Sequence, residues 1–208
     1  MSKNNKYIFT EKDYISGDGM MTSVWGPPLW HVLHTISFNY PIDPSLEQQK
    51  YYYNFYNNLQ NILPCRYCRE NLCKNLEKLP LTKNILKNRS TLSRWVYDLH
   101  EIVNTMLGKK SGLSYNDVRD RYEHFRSRCI DNPNKIETKI EKGCVEPLYG
   151  LKSKCILNIV PKTSKKSSFK MDERCILKRE NIEPIVKKAS KKVSKKVSKK
   201  VSKKQSKK

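Results

Sequence analysis

Apolar residues recur every three or four positions between residues 29 and 125, which is the spacing of amphipathic helices. The broadest apolar stripe includes Leu92, Trp95 and Leu99, and Gly108 supplies its stop signal. Because the intervening loops are short and this part of the sequence has no strand signal, the predicted fold is all-α, a compact helical bundle. Cap and breaker residues predict five helices, which begin at or near Pro27, Ser45, Pro64, Ser90 or Thr91, and Ser114.

The character of the sequence changes after Cys129. Residues 135–186 alternate charged patches with short apolar runs, and both a short hairpin and an extended arm packed on the bundle fit that pattern. From Lys187 a Lys-Lys-x-Ser unit repeats with a period of four residues, which cannot bury a core and is expected to be disordered. We predict four segments: a lead-in over 1–22, a helical domain over 23–128, a cysteine-containing extension over 129–186 and a basic tail over 187–208.

The formal net charge of +22 is concentrated in that tail. Twelve lysines and no acidic residue lie between Lys187 and Lys208, which leaves +10 for the other 186 residues. The tail is expected to bind polyanions such as nucleic acid non-specifically, more weakly as salt rises. A simple solubility tail is the alternative.

The chain lacks the apolar segments that direct proteins to membranes or to secretion. No window holds about 18 consecutive apolar residues, so no membrane span is expected. Residues 1–6 have no apolar run typical of a secretory signal, and we expect a cytoplasmic protein. Seven cysteines in such a chain favour redox or metal chemistry over a passive disulfide scaffold.

The segment Pro64-Cys65-Arg66-Tyr67-Cys68 is the most informative motif. Two cysteines three residues apart lie on one face of a helix, and the positive end of the helix dipole lowers the pKa of a thiol there. Arg66 and Arg69 add positive charge. A low-pKa dithiol that can close on itself is the working part of a thiol–disulfide enzyme.

Half of a zinc site is the alternative interpretation of this motif. Structural zinc takes four ligands, commonly from two paired motifs, and the sequence has no second Cys-x-x-Cys. Cys73, His100, Cys129 or Cys144 could complete a site, but their spacings fit no familiar zinc module. We therefore favour redox chemistry and expect no metal.

Several separated motifs accompany the dithiol in a fixed order. They are the segment from Trp25 to Thr35 (Trp-Gly-Pro-Pro-Leu-Trp-His-Val-Leu-His-Thr), Tyr40-Pro41, the segment 64–68, Trp95, the segment 99–104 and Leu107-Gly108-Lys109. In this order the chain resembles the Erv/ALR family of FAD-linked sulfhydryl oxidases over roughly residues 24–126. The Gly-Pro-Pro opening is most similar to the viral branch. The resemblance implies a four-helix bundle with a short fifth helix, which holds FAD at its mouth, and a homodimer.

The resemblance also implies a reaction and its residues. A protein dithiol is oxidised to a disulfide, its electrons pass through the dithiol to FAD, and molecular oxygen accepts them and gives hydrogen peroxide. Cys68 corresponds to the flavin-proximal thiol and Cys65 to the interchange thiol that meets the substrate. The expected cofactor-binding residues are Gly26, Trp30, His34, Tyr40, His100, Val103, Asn104, Lys109, Arg121 and Tyr122. If the source is viral, the substrates are expected to be virion proteins assembled in the host cytoplasm.

Three positions depart from the family pattern. Glu101 stands where the family usually has Asn, and Tyr97 stands where many cellular members have a structural cysteine. Cys73 is an extra thiol near the dithiol, either a buried structural cysteine or a resolving partner.

Trp95 is expected in the core, and His31 and His124 are treated as surface or packing residues.

The cysteines beyond the bundle leave two questions open. Related oxidases often carry a shuttle pair on a flexible arm, and such a pair could be drawn from Cys129, Cys144, Cys155 and Cys175. Structural disulfides or free thiols are the alternative. The rival for the whole chain is a non-enzymatic basic protein, stabilised by zinc or disulfides, that binds nucleic acid through its lysine tail.

Overall fold

The computed structural model of the chain describes residues 8–128, 144, 146–165 and 170–176. The lysine tail and most of the extension lie outside these residues. The helices of the described part are α1 (Glu11–Tyr14), α2 (Thr22–Phe38), α3 (Leu46–Ile62), α4 (Arg66–Lys78), α5 (Arg89–Met106) and α6 (Tyr115–Glu123), with a 3-10 helix at Ile85–Lys87. The predicted bundle of four helices with a short fifth is confirmed by α2 to α6. No helix of the described residues combines the length and the apolar character that crossing a membrane requires.

The first bundle helix begins earlier than predicted. The predicted start at Pro27 is wrong, because α2 begins at Thr22 and contains both prolines. The Met21 carbonyl accepts hydrogen bonds from the Val24 and Trp25 N–H groups at 2.9 and 3.4 Å, which closes the first turn. Pro27 and Pro28 lie in the second turn of α2, where each removes an N–H donor and crowds the carbonyl four residues before it, and α2 continues through both.

Asn88 caps α5, and the predicted caps Ser90 and Thr91 are wrong. The Asn88 side chain accepts the Thr91 N–H at 3.0 Å, and the Thr91 hydroxyl accepts the Asn88 N–H at 3.2 Å. This reciprocal pair is a capping box in which Thr91 occupies the third helical position. Ser45 and Gln48 form the same arrangement at the start of α3, where the predicted cap is confirmed.

The core lies between α2, α3, α4 and α5. Trp95 is 2% exposed and its indole N–H donates to the Leu79 carbonyl at 3.1 Å, which confirms its predicted place in the core. Tyr56 packs edge-on against Trp95 and donates its hydroxyl hydrogen to the Leu33 carbonyl at 2.8 Å. The polar tips of Trp95 and Tyr56 are thus hydrogen-bonded inside the core, as burial requires. The buried apolar residues are Leu33, Tyr40, Tyr56, Leu59, Leu72, Leu81, Leu86, Leu92, Trp95, Val96 and Leu99.

The chain divides into two compact units, and the helices as far as Tyr122 belong to the first. In the second, the strands β1 (Ser127–Arg128) and β2 (Glu146–Pro147) pair antiparallel. Gly150 has φ +66°, and a Cβ there would lie 2.8 Å from the Cys175 carbonyl oxygen, so that turn requires glycine. The predicted domain boundaries stay predictions.

Candidate active site

The two cysteines of the redox pair, Cys65 and Cys68, lie at the N-terminus of α4. Leu63 is the C-cap of α3, Pro64 turns the chain, and Cys65 occupies the N-cap position of α4. The Cys65 sulfur accepts the backbone N–H of Cys68 at 3.3 Å. Both side chains are half-buried. The predicted placement of both sulfurs at the first helical turn is confirmed.

The two thiols of the redox pair have pKa values shifted in opposite directions. The pKa of Cys65 is lowered, chiefly by its hydrogen bond with the Cys68 thiol and then by the Cys68 backbone N–H. The pKa of Cys68 is raised, chiefly by burial and then by its hydrogen bond with Cys65. Of the two thiols, Cys65 therefore loses its proton more readily, which makes Cys65 the more reactive sulfur toward a disulfide.

The two arginines beside the redox pair play different parts. The Arg69 guanidinium donates to the Leu63 carbonyl, which ties α4 to the end of α3, and its charge lowers the pKa of Cys68. The Arg66 guanidinium lies over the Tyr67 ring, 5.0 Å from the centroid, and pairs with Glu70 at 3.7 Å. Glu70 offsets the charge of Arg66, so Arg69 supplies the positive charge that acts on the pair.

The N-terminal lead-in is hydrogen-bonded to the redox pair. The Met20 N–H donates to the Pro64 carbonyl at 2.9 Å, and the Trp25 indole N–H donates to the Met20 carbonyl at 3.0 Å. The Thr22 hydroxyl lies 3.6 Å from the Cys68 sulfur. Sequence reasoning missed these contacts because it treated the lead-in as loose and began α2 at Pro27.

An aromatic cluster of Trp30, His34, His100 and Tyr122 joins α2, α5 and α6. The rings of Trp30 and His100 stack with centroids 3.9 Å apart and planes 5° from parallel. His34 Nε2 lies 3.0 Å from His100 Nδ1, and the Tyr122 ring stacks on His34 at 5.3 Å. His31 extends the cluster, with Nδ1 3.2 Å from the Tyr122 hydroxyl. Of the two roles predicted for His31, surface or packing, the structure shows packing. Four predicted cofactor residues from three helices therefore meet in one place.

Burial keeps the two histidines of this cluster neutral. It lowers the pKa of His34 to about 3, with smaller contributions from the charges of His100 and His31. It lowers the pKa of His100 to about 4, where Glu101 acts in the opposite direction and Lys109 in the same one. A neutral imidazole has one donor and one acceptor nitrogen, so one ring donates and the other accepts in the hydrogen bond between them.

His34 Nδ1 is buried and has no hydrogen-bond partner in the described part of the chain. A buried polar atom without a partner is costly, and native proteins seldom leave one unexplained. A planar heterocyclic ligand with polar edges would offer both a partner for this nitrogen and a surface for the stacked rings. The aromatic cluster thus fits a flavin.

The other predicted cofactor residues lie on the same helices or near them. Gly26 is buried in α2, where an added Cβ would meet only Thr22 Cγ2 at 3.7 Å, so packing within the chain does not require glycine. The Asn104 amide donates to Glu101 Oε1 at 2.8 Å, and the Lys109 N–H donates to the Asn104 carbonyl. Glu101, which the sequence predicts to depart from the family pattern, thus orients Asn104. Val103 and Arg121 are half-buried and Lys109 is exposed.

Tyr40 is not brought into the aromatic cluster. It is fully buried, its hydroxyl donates to the Leu86 carbonyl at 2.8 Å, and its ring packs edge-on against Tyr52 at 4.5 Å. These contacts explain Tyr40 as a core residue. Its contact with a cofactor stays a prediction.

A repeat of four residues along α2 could have revealed the missed contacts. Because side chains four apart lie on one helical face, this stripe runs from the redox pair to the aromatic cluster. Had the helix been predicted to begin at Thr22, the stripe would have included that residue. Its members are Thr22, Gly26, Trp30, His34 and Phe38.

The remaining cysteines differ in exposure and bonding. Cys73 is exposed and free, so a buried structural role for it is wrong. Cys155 is exposed and Cys175 half-buried, both free, whereas Cys144 is disulfide-bonded. Cys129 lies outside the described residues, and the shuttle hypothesis stays a prediction. Within the described ranges no group of three or more potential ligands is placed to hold a metal ion.

Comparison with known proteins shows which family this chain resembles. The model of the Erv1/Alr family matches residues 27–138. A probable FAD-linked sulfhydryl oxidase of Acanthamoeba polyphaga mimivirus is 38% identical over 104 residues, which cover 50% of this chain and 72% of that protein. An FAD-linked sulfhydryl oxidase of African swine fever virus is 30% identical over 107 residues, 51% of this chain and 87% of that one. The crystal structure of the FAD-binding domain of Erv1 from Saccharomyces cerevisiae is 26% identical with a TM-score of 0.46, covering 50% of this chain and 94% of its own. With its family model matched over more than half of its length, the chain belongs to the Erv1/Alr family.

Proposed function

We propose that this chain is an FAD-dependent thiol oxidase that forms disulfides in protein substrates, with Cys65 and Cys68 as its redox pair. The observation that carries the proposal is the arrangement at the start of α4, where the Cys65 sulfur accepts the Cys68 N–H at 3.3 Å. It gives a dithiol one helical turn apart with unequal thiol pKa values. Membership of the Erv1/Alr family supplies the context in which such a pair is used.

The residues of the chain account for the exchange with substrate. A substrate thiolate attacks the Cys65 sulfur of the oxidised pair, the Cys65–Cys68 bond breaks, and its electron pair goes to the Cys68 sulfur. The second substrate thiolate then attacks the substrate sulfur bonded to Cys65 and releases the Cys65 thiolate. The substrate leaves as a disulfide, and the redox pair holds the two electrons that the substrate lost.

Residues of the aromatic cluster would hold the cofactor. Trp30 and His100 offer stacked planar surfaces, and His34 offers a nitrogen to which no described residue bonds. Lys109 and Arg121 provide cations suited to a pyrophosphate. FAD, when bound, supplies the two-electron acceptor that restores the Cys65–Cys68 disulfide and passes the electrons to oxygen, giving hydrogen peroxide. The proposal retains Gly26, Tyr40, Val103, Asn104 and Tyr122 as further contacts.

Three finer features belong to the same proposal. A homodimer is supported by the exposed apolar side chains of α3, where Leu46, Tyr51 and Ile62 are 83%, 60% and 67% exposed. Sedimentation at several protein concentrations tests it.

Action in the cytoplasm, with virion proteins as substrates, is tested by locating the protein in infected cells. Polyanion binding by the lysine tail should disappear with deletion of residues 187–208, while thiol oxidation is retained.

Cysteine variants test the assignment of the redox pair. Cys68→Ser and Cys65→Ser should each abolish oxidation of a reduced protein substrate, measured as thiol loss and peroxide formed. Cys73→Ser, which removes an exposed thiol five residues further along α4, should keep its rate, and a loss of rate would instead assign Cys73 as a resolving partner. Full activity in Cys68→Ser would overturn the assignment.

A further inference from the structure

The strap, residues 19–22, lies against the peptide that precedes the redox pair. Its Met20 N–H donates to the Pro64 carbonyl, and the Met20 carbonyl accepts the Trp25 indole N–H. A Cβ added at Gly19 would lie 2.9 Å from the Pro64 oxygen and 3.6 Å from the Cys65 Cα. The hydrogen bonds of the Met20 N–H and of the Met20 carbonyl therefore hold the backbone of the strap close to Cys65.

At the end of the strap, the Thr22 hydroxyl lies 3.6 Å from the Cys68 sulfur. Its methyl carbon lies on the side of Gly26, 3.7 Å from where a Cβ would stand there. A β-branched side chain in a helix has few χ1 rotamers, so with its methyl on that side the hydroxyl stays directed at Cys68. Thr22 is four residues before Gly26 and eight before Trp30, on the stripe that leads to the aromatic cluster.

Disulfide exchange at Cys65 requires that the negative charge left on the Cys68 sulfur be stabilised. When substrate attacks Cys65, the bond to Cys68 breaks and Cys68 leaves as a thiolate. The backbone N–H of Cys68 donates to the Cys65 sulfur, so it does not stabilise the Cys68 thiolate. A thiolate can only accept hydrogen bonds, so the hydroxyl beside it must donate.

We propose that the Thr22 hydroxyl donates to the Cys68 thiolate and so stabilises Cys68 as the leaving group of the exchange. This rests on the proposed oxidase function. A leaving thiolate that is better stabilised departs faster. Burial and Cys65 raise the pKa of Cys68, whereas Thr22 and then Arg69 lower it, so Thr22 acts in the direction that the exchange needs. Thr22 also lowers the pKa of Cys65, but there it ranks behind the hydrogen bonds with Cys68.

The test measures the Cys68 thiol directly in the full-length flavoprotein, in a Cys65→Ser background that leaves Cys68 without its partner. Alkylation of Cys68 is followed against pH under nitrogen by mass spectrometry of its peptide. Thr22→Val should raise the midpoint by about 0.4 to 1 pH unit, because the bond to the thiolate is lost. Thr22→Ser should keep most of the wild-type midpoint, and Thr35→Val, in the same helix, should leave it unchanged.

With both cysteines present, Thr22→Val should slow the oxidation of substrate about threefold to tenfold at equal flavin content. If it does not fold, Thr22→Ala takes its place. An unchanged alkylation midpoint in the hydroxyl-free variant, or a failure of Thr22→Ser to restore it, overturns the inference while the oxidase function stands. A protein that binds no flavin overturns the function instead, and the alkylation midpoints then still decide the bond between Thr22 and Cys68.

Discussion

Trp30 of α2 and His100 of α5 lie face to face, with ring centroids 3.9 Å apart and planes 5° from parallel. The pair joins α2 to α5, and it stands beside His34, whose Nδ1 has no hydrogen-bond partner among the described residues. Stacked aromatic pairs contribute about 0.5–1.5 kcal/mol beyond the area they bury. This pair therefore contributes both to the bundle and to the proposed cofactor site.

Trp30→Ala should weaken flavin retention about threefold to tenfold, because it removes one face of the stack. Trp30→Phe keeps a flat ring and should fall between wild type and Trp30→Ala. The ratio of flavin to protein absorbance after repeated desalting measures the effect. Equal retention by all three proteins would remove Trp30 from the cofactor site.

The neutral histidines make stability depend on pH. The pKa of His34 is about 3 and that of His100 about 4 in the folded protein, against an ordinary 6.5 for the unfolded chain. Because the unfolded chain binds these protons more readily, the free energy of unfolding is greatest above about pH 6.5 and falls as the pH drops toward 4. For one buried proton site the slope is at most about 1.4 kcal/mol per pH unit.

Urea unfolding at several pH values between 4 and 7 measures this slope. His34→Asn removes the titrating group and should flatten the dependence, whatever it does to the stability at pH 7. If wild type is equally stable at pH 4.5 and pH 7, the two histidines are not buried as neutral groups.

Gly19→Ala should disturb the redox pair, because its new methyl group would stand 2.9 Å from the Pro64 carbonyl oxygen. Gly17→Ala is a matched control two residues away, since a Cβ at Gly17 has nothing within 4 Å. We expect Gly19→Ala to lower the oxidation rate several-fold and the control to keep it. Indistinguishable rates would show that the strap does not influence the pair.

Tyr97, which the sequence predicts to stand in place of a structural cysteine, ties α5 to the loop before α6. Its hydroxyl donates to the Leu113 carbonyl at 2.8 Å, and its ring packs edge-on against Tyr115 at 5.9 Å. Tyr97→Phe should lower the free energy of unfolding by about 1 kcal/mol. Tyr53→Phe, at an exposed position of α3, should change it little. Equal losses in both variants would contradict the role of Tyr97.

Local sequence signals predicted much of this architecture. These signals each act within one or two helical turns, and the structure has them: the breaks at Pro64 and Gly108, the cap at Ser45 and the apolar stripe of α5. The start of α2 was missed because proline was taken as a first-turn signal, although it is compatible with a helix that began one turn earlier.

The contacts that build the site are long-range, and no local pattern encodes them. Thr22 meets Cys68 from 46 residues away, and Tyr40 reaches the Leu86 carbonyl across the same separation. Family motifs indicated that Trp30, His34, His100 and Tyr122 share a site. They could not show that His34 and His100 hydrogen-bond each other, because that depends on how α2 packs against α5.

The visible absorption spectrum of the purified protein, recorded before and after a dithiol is added under nitrogen, tests the central claim most directly. The account predicts a flavin spectrum that bleaches with the dithiol and returns when air is admitted. Cys68→Ser should show the same flavin spectrum without the bleaching. A colourless protein that stays colourless after incubation with FAD would contradict the account.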